Sequence, residues 1–124
     1  MKLTNLTPIL NVSDVAASLA WFEALGWERG FVWDENGFGS DRPTFASVRS
    51  GDGEIFLCLD CQGAREVWIS WFLPSREALD AAHARVSELG YEVSRKPADE
   101  SWGIREFHLR HPDGHTFRVG CEIG

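Results

Sequence analysis

The chain contains one run of structural elements twice, and this repetition constrains its fold more than any other feature. The segments 45–58 (FASVRSGDGEIFLC) and 106–119 (EFHLRHPDGHTFRV) share a pattern of strand, Asp-Gly turn and strand. Upstream, Leu25-Gly26-Trp27 corresponds to Leu89-Gly90-Tyr91, and each triplet follows a helical pattern. Self-similarity of this kind indicates that one supersecondary unit occurs twice. The unit that fits both copies is β-α-β-β-β.

The length of the chain fits this reading. With 124 residues, it is the size of one ordinary domain, large enough for a core but too short for two independent domains. The sequence therefore predicts a single α+β domain over residues 1–124, with module 1 at about 1–62 and module 2 at about 63–124.

Each module has a helix with a start and a stop signal. Ser13 is the expected N-cap of the first helix and Ser75 that of the second, since a hydroxyl oxygen accepts a hydrogen bond from the first free backbone N–H groups. Gly26 and Gly90 follow the last helical residues, where a left-handed backbone favours glycine. Apolar residues recur on one face of each helix: Val15, Leu19, Phe22 and Leu25, then Leu79, Ala82, Val86 and Leu89.

The last hairpin separates apolar from polar side chains. Taking 111–115 as its turn region pairs Leu109 with Phe117 and Phe107 with Val119, all on the face that packs on a helix. The opposite face then carries four polar residues: Glu106, His108, Thr116 and Arg118. Because a sheet face away from the core is open to a ligand, we expect functional residues there.

Charge and composition exclude several classes of function. The net charge of −7 disfavours nucleic acid and favours a cationic ligand. No apolar run approaches the roughly 20 residues that span a bilayer, so membrane insertion is not expected, and a cytoplasmic location follows as the default. The three cysteines, Cys58, Cys61 and Cys121, hold only one CxxC spacing and are expected to be reduced thiols.

Three histidines in the last hairpin raise the question of a metal site. His111 and His115 lie in or beside the turn and are expected to be exposed to solvent, which leaves His108 on the polar face. A site built from His108 and Glu106 would take both donors from one strand, whereas zinc and iron sites need three or four converging donors. An internal ion pair between Glu106 and Arg118 is the favoured interpretation.

Both ends of the chain resemble the vicinal oxygen chelate superfamily, which includes glyoxalase I, extradiol dioxygenases and bleomycin-resistance proteins. The resemblance runs from PILNVSDVAASLAWFEALGW (8–27) to SWGIREFHLRHPDGHTFRVG (101–120). The second segment is similar to the Trp-Gly-x-Arg-Glu-Phe and Asp-Pro-Asp-Gly hairpin of the bleomycin-resistance branch, with His111 in place of the first Asp. This resemblance implies curved mixed sheets that enclose a cavity, and a homodimer whose sites are completed across the interface.

The resemblance also locates the family's four metal ligands. They fall at Thr7, Leu57, Trp68 and Arg118. None is a competent ligand of the family's kind, and Arg118 would place a fixed positive charge where the cation sits. The expectation is a chain with no metal and no cofactor that binds its ligand and does not act as an enzyme.

The aromatic residues predict what is bound. Six tryptophans exceed what a domain of this size needs for packing. Trp68 and Trp102, with Phe38 from the Gly- and Asp-rich loop, are expected to stack on a ligand, while Glu106, His108 and Arg118 form a polar floor. The resemblance implies sequestration of a planar, cationic antibiotic of the bleomycin type. Two alternatives stay open: a metal-dependent lyase or dioxygenase with relocated ligands, and a binder of another metabolite.

Overall fold

The computed structural model describes residues 1–34 and 42–123, and it divides into two compact units, Met1–Arg65 and Glu66–Gly124. Unit 1 contains β1 (Ile9–Val12), α1 (Val15–Ala24), β2 (Glu28–Trp33), β3 (Phe45–Ser50) and β4 (Gly53–Leu59). Unit 2 contains β5 (Trp68–Phe72), α2 (Arg76–Glu88), β6 (Glu92–Asp99), β7 (Ile104–Arg110) and β8 (Thr116–Glu122). The predicted β-α-β-β-β order is confirmed in both modules, and the fold is α+β. Their assignment to one domain stays a prediction.

Each unit forms a four-stranded mixed sheet with the same topology. The strand orders are β1-β4-β3-β2 and β5-β8-β7-β6, and in each sheet the first pair is parallel and the others antiparallel. The helix of each unit contacts its own sheet. Within the described residues, no helix is long and apolar enough to cross a membrane.

Apolar side chains on one face of each sheet and on its helix make the core of each unit. In unit 1 the fully buried members include Leu10, Val12, Val15, Leu19, Phe22, Val48 and Leu57. In unit 2 they include Leu79, Phe107, Leu109 and Phe117. The predicted pairs Leu109–Phe117 and Phe107–Val119 are confirmed by the strand register. Removing such side chains from water contributes about 1.5–3 kcal/mol each, which is why the core face is specified so strongly.

The helix boundaries follow the expected signals with one correction. Ser75 caps α2 by accepting a hydrogen bond from Ala78 N at 3.1 Å. In α1 the N-cap is Asp14 and not Ser13, since Asp14 Oδ1 accepts from Ala17 N at 2.9 Å. Asp and Ser cap equally well, so the identity of the residue could not separate the two positions. Gly26 and Gly90 adopt positive φ angles of 94° and 72° just past the helices, as predicted.

Equivalent residues of the two modules differ by a fixed residue number, the offset, and this offset changes at the hairpin turn. Arg49 pairs with Glu54 in the first hairpin, and Arg110 with Thr116 in the second. The second turn therefore holds one residue more, and the offset between modules rises from 61 (110 − 49) to 62 (116 − 54). The alignment of segments 45–58 and 106–119 at a constant offset of 61 matches Phe56 to Phe117, and this equivalence is wrong for the same reason. Phe56 matches Arg118 instead.

Candidate functional site

Each sheet has an open face, defined here as the face opposite the helix of its own unit. On the open face of unit 2, neighbouring strands contribute side chains in register, with His108 opposite Arg118 and Arg118 opposite Ser70. The alternation of strand residues places three of the predicted polar-face residues there, Glu106, His108 and Arg118. The sequence-based assignment of this face agrees with the register.

Glu106 and Arg118 form a two-point ion pair on this face. Arg118 Nε donates to Glu106 Oε2 at 2.8 Å, and Arg118 Nη2 donates to Oε1 at 3.0 Å. The Glu106 side chain is 3% exposed and that of Arg118 is 41% exposed. Hydrogen bonds from Arg118 hold the pKa of the Glu106 carboxyl below its usual range against the opposing effect of burial. The two charges therefore neutralise each other on the open face of unit 2.

This pairing leaves part of the guanidinium for a ligand. A carboxylate that occupies Nε and Nη2 leaves Nη1 directed away from it, since the guanidinium is a planar fork. His108 Nε2 lies 3.5 Å from Glu106 Oε2, so the imidazole borders the same carboxylate. The arrangement offers hydrogen-bond donors without a net charge.

Trp68 extends across this face. Its ring centroid lies 5.3 Å from that of His108, with the planes almost perpendicular. Because β8 lies between β5 and β7 in the sheet, the indole must reach over β8 to make this contact. The residue is still 61% exposed. Trp68 is therefore an exposed indole next to His108, which borders Glu106.

Trp102 and Phe38 are the other predicted aromatic contacts. Trp102 lies in the turn between β6 and β7 and is 58% exposed, and Gly103 follows it with a φ of 85°. The turn is closed by a hydrogen bond from Glu100 N to Ile104 O at 2.8 Å. Phe38 lies outside the described residues.

The open face of unit 1 holds an aromatic cluster that the sequence analysis did not identify. The rings of Phe31, Phe45 and Phe56 have centroid separations of 5.4–5.7 Å, and Phe31 stacks on Phe45 at an interplanar angle of 13°. Three adjacent strands, β2, β3 and β4, supply one ring each. The signal available in the sequence was one phenylalanine in each of these three strands.

A pocket of about 870 Å³ adjoins this cluster. We call it the aromatic pocket, and its lining is Phe31, Val32, Trp33, Thr44, Phe45, Cys58, Leu59 and Cys61. None of these eight side chains carries a formal charge, and Trp33 is 49% exposed. The lining suits an apolar or aromatic group, because burial of polar groups without partners is costly.

A bulge in β2 positions Phe31. The register between β2 and β3 shifts between Arg29 and Val32, and the backbone N–H of Phe31 donates to Ser47 Oγ at 3.1 Å. A Cβ on Gly30 would lie only 2.0 Å from that hydroxyl oxygen. Glycine at position 30 therefore makes room for the Ser47 side chain, which in turn holds the backbone that carries Phe31.

The cysteines differ from the expectation of three reduced thiols. Cys58 and Cys61 form a disulfide with their Cα atoms 5.8 Å apart, whereas Cys121 is free and buried. A single CxxC spacing did not reveal this pairing, because its formation depends on the turn that follows β4.

The two turn histidines also differ from the expectation, since both are buried rather than exposed. His111 is 3% exposed and His115 is 0% exposed. His111 Nδ1 accepts from Asp113 N at 3.0 Å, and His115 Nδ1 accepts from Val67 N at 3.2 Å. Burial lowers the pKa of His111 to about 4, with Asp113 opposing and His115 adding to the shift. Each imidazole accepts a hydrogen bond from a backbone N–H group, and these bonds stabilise the end of the hairpin.

The positions of the family's metal ligands do not fit a metal ion. Leu57 is fully buried in the core of unit 1, so its neighbour Phe56 is the residue of that strand on the open face. The four positions then hold Thr7, Phe56, Trp68 and Arg118. Two are aromatic, and the guanidinium of Arg118 is bound to Glu106. Among the described residues, no group of three or more His, Cys, Asp or Glu side chains is arranged to hold a metal.

Comparison with solved structures shows that the fold is a known one. A bleomycin-binding protein complexed with bleomycin matches with a TM-score of 0.73 at 18% identity, covering 97% of this chain and 99% of that one. A lactoylglutathione lyase from Agrobacterium tumefaciens matches with a TM-score of 0.76 at 13% identity, covering 98% and 96%. A superfamily member from Sphaerobacter thermophilus DSM 20745 matches with a TM-score of 0.72 at 23% identity, covering 97% and 98%.

Sequence comparison agrees with the structural matches at the level of the family. No curated protein matches the chain. A family model matches residues 4–119, which is nearly the whole sequence. The chain therefore belongs to the glyoxalase/bleomycin resistance protein/dioxygenase superfamily.

Proposed function

We propose that this protein binds a planar, cationic glycopeptide antibiotic of the bleomycin type without a metal and without chemical conversion. The observation that carries this proposal is the set of residues at the ligand positions of the family. Phe56 and Trp68 supply ring faces there, and Arg118 is neutralised by Glu106. A relative of the same fold was crystallised with bleomycin, which supports the ligand class.

The aromatic pocket of unit 1 suits a planar ring system. Its volume of about 870 Å³ lies within the range of about 300–1,000 Å³ typical of small-molecule sites. Phe31 and Phe45 are stacked nearly parallel, so a flat ring can add to the stack at the exposed face of Phe31. Each such contact contributes about 0.5–1.5 kcal/mol beyond burial of area.

The open face of unit 2, considered by itself, suits a ligand with both a planar and a polar part. Trp68 and Trp102 are exposed indoles that can stack on a planar group of the ligand, and Phe38 is assigned the same role. Arg118 Nη1 can donate to a carbonyl oxygen, and His108 adds a second polar group beside it. Because Glu106 balances Arg118, a basic tail meets no net repulsion from this pair. Glu106, His108 and Arg118 thus form the polar floor in the proposal.

A homodimer is part of the proposal. Exposed aromatic side chains lie on the open faces of both units, with Trp33 at 49% and Phe72 at 67% exposure. Exposed rings of this size favour coverage by a ligand or by a partner chain. Sedimentation of the protein with and without bleomycin measures the oligomeric state, and we expect a dimer in both samples.

The test is a titration of chelator-treated protein with metal-free bleomycin, followed by tryptophan fluorescence and by calorimetry. We expect saturable binding at one ligand per chain with a micromolar or lower Kd. Trp68→Ala and Trp102→Ala should each weaken binding about tenfold, equivalent to about 1.4 kcal/mol, because each removes one stacking surface. Trp27→Phe is the matched control, since Trp27 packs against Phe22 at 5.1 Å and keeps an aromatic ring after substitution.

The outcomes of this titration separate the alternatives. Unchanged affinity in both the Trp68 and the Trp102 variants would contradict the stacking model. An absence of any response would exclude bleomycin as the ligand, and a screen of other planar metabolites would follow. Stoichiometric zinc, iron or manganese in protein purified without chelator would instead favour a metal-dependent lyase or dioxygenase with relocated ligands.

A further inference from the structure

The disulfide of unit 1 lies at the wall of the aromatic pocket. Cys58 and Cys61 both line it, together with Phe31, Trp33 and Phe45. Cys58 belongs to β4 and is 1% exposed, whereas Cys61 lies beyond the end of the strand and is exposed. One sulfur of the pair is therefore sheltered by the protein and the other belongs to a residue open to solvent.

Backbone hydrogen bonds hold the intervening turn independently of the disulfide. Leu59 N donates to Thr44 O at 3.0 Å, and Asp60 N donates to Val12 O at 3.0 Å. Asp60 has a positive φ of 44°, which turns the chain so that Cys61 comes back towards Cys58. Cleavage of the sulfur–sulfur bond leaves these contacts intact, so the two thiols stay side by side.

Side chains secure the segment that follows. Asn11 Nδ2 donates to Gly63 O at 3.0 Å, and Arg65 Nε donates to Asn11 Oδ1 at 3.3 Å. Arg65 also forms an ion pair with Asp60. A cross-link between residues three positions apart restricts the unfolded chain little compared with one that closes a long loop. The pair is therefore poorly suited to be a structural cross-link and well suited to open and close reversibly.

We propose that Cys58 and Cys61 form a thiol–disulfide exchange site for low-molecular-weight thiols, with Cys61 as the attacked sulfur and Cys58 as the leaving and resolving thiol. This inference goes beyond the proposed function and does not depend on the identity of the ligand. Exchange needs a thiolate to approach a disulfide sulfur from solvent, and only Cys61 is exposed.

The exchange conserves atoms and electrons in two steps. An external thiolate forms a bond to Cys61 Sγ, the bond between the two cysteine sulfurs breaks, and Cys58 leaves as a thiolate that takes a proton from solvent. A second external thiolate then forms a bond to the external sulfur of this mixed disulfide, the bond to Cys61 Sγ breaks, and Cys61 leaves as a thiolate that takes a proton from solvent, releasing the external disulfide. Two electrons pass from two small thiols to the pair. In the reverse direction, an external disulfide oxidises the dithiol.

The experiment compares two single variants in a Cys121→Ser background, which removes the free buried cysteine of unit 2. Each variant is incubated with oxidised glutathione, and its intact mass is followed over time. We expect Cys58→Ser to gain one glutathione at Cys61, and Cys61→Ser to react at least tenfold more slowly because Cys58 is buried. Equal rates in the two variants, or no adduct in either, would overturn the proposal.

A measurement on the unsubstituted protein covers the case in which a variant fails to fold. The native protein is equilibrated with mixtures of reduced and oxidised glutathione, quenched, alkylated and digested for mass spectrometry. We expect Cys58 and Cys61 to become alkylated together, in one two-electron transition, while circular dichroism stays unchanged. A pair that stays oxidised in excess dithiothreitol, or reduced in excess oxidised glutathione, would refute an exchange site.

Discussion

His111 is a buried histidine within a turn, and its surroundings disfavour the charged imidazolium. Removal from water is the largest cause of its lowered pKa of about 4, and the neighbouring His115 adds to it. The imidazole accepts a hydrogen bond from Asp113 N through Nδ1, so the neutral ring has a structural role in the hairpin end. A group that is neutral when folded and charged when unfolded makes stability depend on pH.

We expect the free energy of unfolding to fall by about 2–3 kcal/mol between pH 7.5 and pH 4.5 through His111 alone. The unfolded imidazole has a pKa near 6.5 and the folded one a pKa of about 4, so the unfolded state binds the extra proton in this window. The contribution of His111 to the free energy of unfolding is therefore fully present above pH 6.5 and declines as the pH falls towards 4. Urea unfolding at both pH values measures it.

His111→Asn is the comparison for this measurement. The asparagine keeps an oxygen acceptor for the Asp113 N–H but does not titrate. The pH-dependent loss of stability should shrink by about 2–3 kcal/mol in the variant relative to the unsubstituted protein. An identical pH dependence in the two proteins would show that His111 does not stay neutral in the fold.

Residue-scale predictions from sequence succeeded where strand alternation alone determined the outcome. Glu106 and Arg118 were expected to form an internal ion pair on one face, and the two-point contact is present. His111 and His115 were expected to be exposed because they lie in a turn. Both are buried, and His115 accepts a hydrogen bond from Val67 N, a contact between distant segments that has no local signal.

At the scale of single elements, the bulged strand β2 determines where the aromatic pocket begins. Gly30 lies within the register shift of β2, opposite the Ser47 side chain. Ser47 is fully buried, and its hydroxyl accepts from Phe31 N. Bulges of this kind redirect a side chain at the cost of one unpaired position. The orientation of the Phe31 ring thus depends on a residue that has no side chain.

Gly30→Ala should destabilise the protein by about 1–3 kcal/mol, because the added methyl group would lie 2.0 Å from Ser47 Oγ. We also expect weaker ligand binding, since relief of this contact displaces the backbone that carries Phe31. Thermal unfolding and calorimetric titration of the same sample measure the two effects.

The double variant Gly30→Ala/Ser47→Ala separates the steric cause from a general effect of substitution. Removal of the hydroxyl oxygen relieves the closest contact, so the double variant should be more stable than the sum of the two single losses indicates. Strict additivity would argue against a clash between position 30 and Ser47.

At the scale of the whole molecule, net charge affects how a ligand approaches. The chain carries a formal net charge of −7 at neutral pH. Its ion pairs on the surface are mostly exposed, for example Arg49 with Glu54 and Arg76 with Asp99. Such pairs contribute little to stability, typically about 0–1 kcal/mol. The excess of acidic residues matters more for attraction of a cation than for the fold.

The proposed function predicts that the affinity for metal-free bleomycin falls as salt rises from 0.05 to 0.5 M, by roughly tenfold and mainly through the association rate. Salt screens the attraction between a basic tail and an acidic protein but leaves ring stacking largely unaffected. Stopped-flow fluorescence at several salt concentrations measures the rates. The drug with its basic tail removed is the control, and an equal salt dependence for both ligands would exclude steering by the tail.

The sequence by itself determined the repeated β-α-β-β-β order, the superfamily and the polar face of the last hairpin, because these follow from local periodicity and from motifs at both ends of the chain. Only the tertiary structure decided which residues of the two modules are equivalent. One additional residue in the second turn raises the offset from 61 to 62, so Arg118 is equivalent to Phe56 on the open face and not to Leu57, which is buried in the core. The aromatic pocket likewise forms only once β2, β3 and β4 align in register, and the Cys58–Cys61 pair forms only through the turn that follows β4.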